Sequence, residues 1–157
     1  MEKGFVLRGL GAKINKDDQS KINGLLKQLS KRAGKLNDKE FEDVLSQPNF
    51  HIVVVRDLLK GEILGMACVC FYKTFSAKRG KGIVEDVVVS KNCRGLGIGR
   101  ILMEDLIRLA AVKFCSRLEL TSNSKRKEAN ELYIKLNFKK RETNCYRRKI
   151  TRKDRPY

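Results

Sequence analysis

The strongest constraint on this chain is a strand, a glycine-rich turn and a helix in immediate succession. Val84-Glu85-Asp86-Val87-Val88-Val89 is a strand-forming run, Arg94-Gly95-Leu96-Gly97-Ile98-Gly99-Arg100 is the turn, and 101–114 carries helical periodicity. This arrangement gathers backbone N–H groups and the positive end of a helix dipole around one point, a ready site for phosphate. Glycine tolerates the φ/ψ such a turn needs and lets the backbone approach a ligand without an intervening Cβ. Three alternating glycines flanked by arginines therefore name a ligand class, a phosphorylated cofactor or substrate.

Two common phosphate binders do not fit. A P-loop ends in Gly-Lys-Ser/Thr, whereas this turn closes with Gly99-Arg100-Ile101. A dinucleotide turn reads G-x-G-x-x-G and opens a series of βα units, with an acidic residue about 20 positions later. Glu119 lies at about that distance, but the third glycine comes too early and no βαβ series precedes the turn. What remains is R-x-x-G-x-G, carried by Arg94, Gly97 and Gly99.

With 157 residues the chain reads as a single domain over 1–150 with a basic tail at 151–157. No run reaches the roughly 18 apolar residues of a membrane span, and no leader pattern opens the chain, so a cytoplasmic protein without membrane attachment is expected. The five cysteines are odd in number and lack a C-x-x-C pair, and His51 is the one histidine. Reduced thiols and no metal site are the expectation. Thirty-five Lys and Arg against eighteen Asp and Glu give a net charge of +17, concentrated after Lys139 and in clusters at Lys31-Arg32-Lys35, Lys78-Arg79-Lys81 and Lys125-Arg126-Lys127. Such a field draws CoA, anionic metabolites or nucleic acid, and equally suits a solubilising surface.

Periodicity places a short strand at 5–8, a helix over 17–31 with Asp17 or Asp18 as N-cap, a helix over 38–46, and a hairpin of strands 51–55 and 63–72. A basic loop, 73–81, leads to the strand before the turn. After helix 101–114 come a strand at 117–121, a helix over 125–136, and two last strands at 138–142 and 145–150. The order is β-α-α-β-β-β-α-β-α-β-β, an α/β fold on a mixed sheet.

This order, the R-x-x-G-x-G turn and the segment Ala129-Asn130-Glu131-Leu132-Tyr133-Ile134-Lys135-Leu136-Asn137-Phe138 together resemble the GNAT superfamily of N-acetyltransferases over residues 4–150. The last segment is similar to the family's A-x-x-x-Y-x-x-x-G-F signature. Asn137 stands at the glycine position, where Asn also enters the left-handed conformation. The resemblance implies the acyl-CoA N-acyltransferase fold and acetyl-CoA as co-substrate, with no metal. It makes 94–100 (Arg94, Gly95, Leu96, Gly97, Ile98, Gly99, Arg100) the pyrophosphate loop, and gives Val87, Val88 and Val89 the backbone groups for the pantetheine arm and acetyl carbonyl. Tyr133 then stands near the CoA sulfur as the acid for the departing thiolate.

Direct attack by an amine requires a neutral nucleophile, hence a base, and a donor for the oxyanion, here backbone N–H near Val87. Glu85 is the candidate base or amine ligand, since alternation puts it on the face of Val87 and sends Asp86 to the other. A carboxylate paired with a neighbouring Lys or Arg is the competing reading. Thr121, Ser122 and Asn130 are further cofactor contacts. Some relatives carry a pantetheine-contacting asparagine seven residues before the tyrosine; Arg126 occupies that position, and either Arg126 or Lys127 is a candidate for the CoA phosphates, with a solvated helix face as the competing reading.

The acceptor stays open among small anionic amines, such as an amino-sugar phosphate or an amino acid, and protein N-terminal or lysine amines. Lys31, Arg32, Lys35, Lys73, Lys78, Arg79, Arg141, Tyr146 and Arg147 lie in acceptor-shaping segments, and Val84-Glu85-Asp86 resembles the corresponding strand of glucosamine-6-phosphate N-acetyltransferases. A basic GNAT-fold module binding nucleic acid is the alternative, less favoured because only Tyr146 and Tyr157 interleave with the terminal basic run. A monomer or homodimer is expected.

Overall fold

Apolar residues in 50–74 follow one another rather than alternate with polar ones, the mark of strands covered on both faces. In the computed structural model, which describes residues 14–31, 33–75 and 77–154, they form the middle of a three-layer sandwich. Helices α1 (Asp18–Leu29) and α2 (Asp38–Leu45) precede strands β1 (Phe50–Asp57), β2 (Glu62–Thr74) and β3 (Ala77–Val89). Then come α3 (Ile98–Val112), β4 (Arg117–Leu120) and α4 (Lys127–Lys135). The sheet order is β1-β2-β3-β4, antiparallel except for the parallel pair β3/β4, which α3 connects.

Each face buries its own cluster. Val53, Val55, Ala67, Val69 and Val84 meet Leu102, Met103 and Leu106 of α3, the last three fully buried. Val54, Met66, Cys68 and Val88 meet Ile22 and Leu25 of α1 and Phe41 of α2. Burial of each such side chain contributes about 1.5–3 kcal/mol, so the sheet is held from both sides rather than by propensity.

Asp17 occupies the α1 N-cap without a side-chain bond, and Asp18 lies inside the helix on another task. Only 1% exposed, its carboxylate accepts Arg56 Nη1 at 2.7 Å and Nη2 at 2.8 Å, tying α1 to β1. α2 is capped instead by a reciprocal pair, Glu40 N–H on Asn37 Oδ1 and Asn37 N–H on Glu40 Oε2.

Several expectations are revised. The strand at 5–8 lies outside the described residues, as does Arg32. The loop at 73–81 is mostly strand: β2 runs to Thr74 and β3 starts at Ala77, and the cross-strand pair Tyr72 and Lys81 holds the extension with the Lys81 ammonium 5.0 Å from the ring centroid. Helix α3 begins at Ile98, three residues early, and takes Gly99 and Arg100 into its first turn. α4 is shorter than expected at both ends. No strand forms at 138–142 or 145–150. Pairing those stretches as a hairpin across 143–144 would set Lys139 against Arg148 and Lys140 against Arg147, and like charges opposite one another are unfavourable.

Arg56 holds the Asp18 carboxyl below its ordinary value. Its contribution to stability is therefore complete above the unfolded aspartate value of about 3.9 and is lost as pH falls through the lower folded value. Asp18→Asn, which leaves the Arg56 cation uncompensated, is expected to cost about 3 kcal/mol at pH 7 and lower the melting temperature by roughly 10 °C. Thermal melts at pH 7 and pH 3 check this; equal melting points at pH 7 would show that the pair contributes nothing.

Candidate functional site

The parallel pairing of β3 with β4 stops at Val84 opposite Leu120, while β3 continues five residues to Val89. At the point of parting, Met66 pairs with Val88 and Cys68 with Glu85, so Asp86 and Val87 together oppose the single residue Ala67. This is a β-bulge, and Asp86 adopts a left-handed conformation (φ 51°) within it. The bulge bends β3 and opens a cleft between it and the start of α4.

The bulge also corrects the placement of Glu85. Alternation slips by one residue: Val84 and Val87 face the α3 cluster, while Val88 faces the α1 cluster. Glu85, paired with Cys68, takes the α1 side and so lies opposite Val87 rather than beside it. Partial burial raises the Glu85 carboxyl above its ordinary value, and the Asp86 charge adds to this; burial raises Asp86 as well. Burial and the two carboxylates together push the Cys68 thiol up, making it an inert core residue.

Beyond β3 the chain turns through Arg94, Gly95 (φ 76°), Leu96 and Gly97 (φ 78°) into α3. Only glycine enters those two conformations without strain. Gly97 is the N-cap and has no side chain to satisfy the helix; the first α-helical bond is Ile101 N–H to Gly97 O at 3.2 Å. The amides of Ile98, Gly99 and Arg100 thus point out of the helix end, and the first turn carries no acidic residue. Ile98 is buried and anchors the turn, while Arg94 and Arg100 are exposed beside it. An uncapped fifteen-residue helix, with open space where a Cβ would sit on Gly95 and Gly97, fits a diphosphate.

Across the cleft, Tyr133 of α4 is 5% exposed and packs at a tilt on Phe138, ring centroids 6.1 Å apart. Burial raises its phenol, and the charge of Arg126 partly reverses the shift. Tyr133 lines a cavity of about 1110 Å³ together with Thr121, Ser122 and Asn130. Ser122 Oγ is buried without a hydrogen-bond partner, and Asn130 Nδ2 donates to Asn123 O at 3.0 Å.

The structure therefore sorts the expected residues into two groups. Glu85, Val87, Val88, Val89 and 94–100 line β3 and its turn; Thr121, Ser122, Asn130 and Tyr133 line the cavity between β4 and α4. Arg126 joins them, with Nη2 donating to Val87 O at 2.9 Å. That bond was not foreseen from sequence, and its one signal is an arginine standing seven residues before Tyr133. The bulge was not foreseen either; a short polar residue inside an apolar strand was its signal. Among the described residues no group of His, Cys, Asp or Glu is placed to hold a metal, and no helix is long and apolar enough to cross a membrane.

Residues 22–138 match the acetyltransferase (GNAT) family. A glucosamine 6-phosphate N-acetyltransferase of Trypanosoma brucei brucei is 35% identical over 83 residues, 52% of this chain and 54% of that protein, so the match spans about half of the relative's length. An acetyltransferase from Trypanosoma brucei superposes with a TM-score of 0.77 at 28% identity, covering 92% of this chain and 99% of the other. A glucosamine-6-phosphate N-acetyltransferase from Arabidopsis thaliana also gives 0.77, at 25% identity, over 93% and 99%.

A methyl group on Gly97 would impose the left-handed penalty of about 1–2 kcal/mol on the diphosphate cradle. Gly97→Ala is expected to weaken CoA binding roughly tenfold by calorimetry; unchanged affinity would remove the turn from the binding site.

Proposed function

Because the chain belongs to the acetyltransferase (GNAT) family, we propose that it transfers the acetyl group of acetyl-CoA to the amine of an amino-sugar phosphate, with both substrates bound at once. One observation carries the donor half: the uncapped start of α3 opens beside a strand that has parted from its neighbour. The acceptor half is supported by the trypanosomal and plant relatives named as glucosamine 6-phosphate N-acetyltransferases. The exposed basic surface, including Lys35, Lys73 and Arg147, gives an anionic acceptor a favourable field.

Acetyl-CoA supplies an activated carbonyl and a thiolate leaving group. The amides at the start of α3 hold its diphosphate, and the parted side of 87–89, apart from the Val87 carbonyl already bonded to Arg126, takes the pantetheine arm. The amine nitrogen attacks the thioester carbon, forming C–N as C–S breaks with its electron pair moving to sulfur. Backbone N–H near Val87 supports the oxygen while it is negative. The proton leaving nitrogen passes to Glu85, directly or through water, and Tyr133 returns one to sulfur. Glu85 stands on the α1 side of β3, Val87 on the α3 side; the bulge thus puts the base toward α1 and α2 and the donor toward α3. The fold keeps the two substrates' ends apart until they meet at the bulge.

An acetyl-CoA consumption assay over glucosamine 6-phosphate, glucosamine, amino acids, polyamines and N-terminal or lysine peptides tests this reading. The expected ranking puts glucosamine 6-phosphate first in kcat/KM; turnover confined to peptides would replace the acceptor. Absence of any turnover, with RNA binding that weakens steeply as salt rises, would replace the enzyme by a nucleic-acid module. A base with a raised pKa must lose its proton to work, so kcat/KM should climb with pH through a point above the ordinary glutamate range. Glu85→Gln is expected to lower kcat at least about 100-fold and to abolish that acid limb; a profile parallel to the parent's would exclude Glu85 as base.

A further inference from the structure

We propose that Arg126 is a member of the acyl-transfer machinery: held on the Val87 carbonyl, its guanidinium is a fixed cation across the cleft that stabilises the sulfur as it departs. The inference rests on the acetyltransferase reading above and deepens it, since no role in the chemical step follows for Arg126 from the family match.

Placement comes from the backbone. Arg126 is the N-cap residue of α4, and its carbonyl accepts the Asn130 N–H at 3.0 Å as the helix begins. Tyr133 follows two turns later, so both residues rise from the same face of α4. The Arg126 side chain is partly buried and reaches 39 residues back in sequence to Val87 O, 2.9 Å away. Val87 is the bulge residue beside the point where β3 and β4 part. The guanidinium therefore ties the start of α4 to β3 two residues before the strand ends at Val89.

Guanidinium geometry suits this post. It carries five N–H donors and a delocalised positive charge in a planar fork, so a bond to Val87 O leaves other donors free. When the C–S bond breaks, its electron pair localises on sulfur beside Tyr133, and the phenolic proton moves to that sulfur. For as long as the transfer is incomplete the negative charge is shared between sulfur and phenol oxygen. A cation fixed nearby favours that arrangement over the neutral reactants, the condition for lowering a barrier rather than tightening binding. The same charge already opposes the effect of burial on the Tyr133 phenol.

The test is steady-state kinetics of the full chain with acetyl-CoA and glucosamine 6-phosphate, for the parent, Arg126→Gln, Arg126→Lys, Tyr133→Phe and Arg126→Gln with Tyr133→Phe, each with its melting temperature. Arg126→Gln is expected to lower kcat roughly 10- to 100-fold with KM for acetyl-CoA within about threefold. Arg126→Lys should recover most of that loss. In the Tyr133→Phe background the same change should cost more than in the parent, because without the phenolic proton the sulfur departs with its full charge. A raised KM at unchanged kcat would make Arg126 a cofactor-binding residue and overturn the proposal, as would equal losses in both backgrounds. A loss that follows a fall in melting temperature and is not rescued by lysine would reduce Arg126 to a structural tie. If the parent itself neither binds nor consumes acetyl-CoA, the acetyltransferase reading fails first, a result distinct from all of these.

Discussion

The candidate site depends on one departure from regular sheet geometry, the parting of β3 from β4 after Val84. A parallel pair that continued to Val89 would spend the backbone groups of 85–89 on neighbouring strand and leave no opening. The bulge at Asp86 and Val87 marks the break: two residues oppose Ala67, and the β4 side of the strand has no partner strand beyond Val84. A left-handed conformation for Asp86 costs less than it would for the valines around it, since a short polar side chain tolerates that region. The strain is affordable because β2 remains paired on the other side and both faces are packed by helices.

Packing converts that local fault into a site of defined shape. Leu102, Met103 and Leu106 clamp α3 against β1–β3, and Ile98 seats the first turn, so the helix end has little freedom to drift from the strand. The Asp18–Arg56 pair fixes α1 on the opposite layer, the side to which Glu85 is turned. Catalytic geometry tolerates errors of only about half an ångström, which rigid elements supply and loops do not. Residues on β3, α3 and α4 meet that requirement in a way the irregular chain beyond Phe138 does not.

What could be read from sequence divides along the range of the interactions. The helical spacing of Ile22, Leu25 and Leu29, the apolar run of β2 and the alternating glycines before α3 are encoded within a few residues, and they were legible. So was the place of Tyr133, which follows from a local signature. The bulge was not, since it depends on the register of 85–88 against 66–68, a pairing across a hairpin. For the same reason alternation put Glu85 on the wrong face: the period of two is valid only until a residue is inserted. The Asp18–Arg56 and Arg126–Val87 bonds join positions 38 and 39 residues apart, and no local pattern announces them. At the other end, the strand pattern at 138–150 forms no strand, and the like charges that a hairpin there would bring together are a factor periodicity does not weigh.

Charge also decides how a carboxylate base can work in so basic a chain. A net charge of +17 would by itself favour ionised carboxylates and drag Glu85 toward weaker basicity. The observed direction is the reverse, with Glu85 and Asp86 both raised. Range resolves the conflict. At physiological ionic strength the field of a distant lysine is screened within about 8 Å, whereas desolvation and an adjacent carboxylate act at contact. Ion pairs show where some of the positive charge is neutralised: Arg117, Arg141 and Lys81 all converge on Glu119, whose carboxyl is correspondingly lowered. Two carboxylates in one partly dry bulge thus form an island of basicity inside a cationic protein. On the proposed reading the long-range field gathers an anionic acceptor, and the short-range one sets the proton affinity of Glu85.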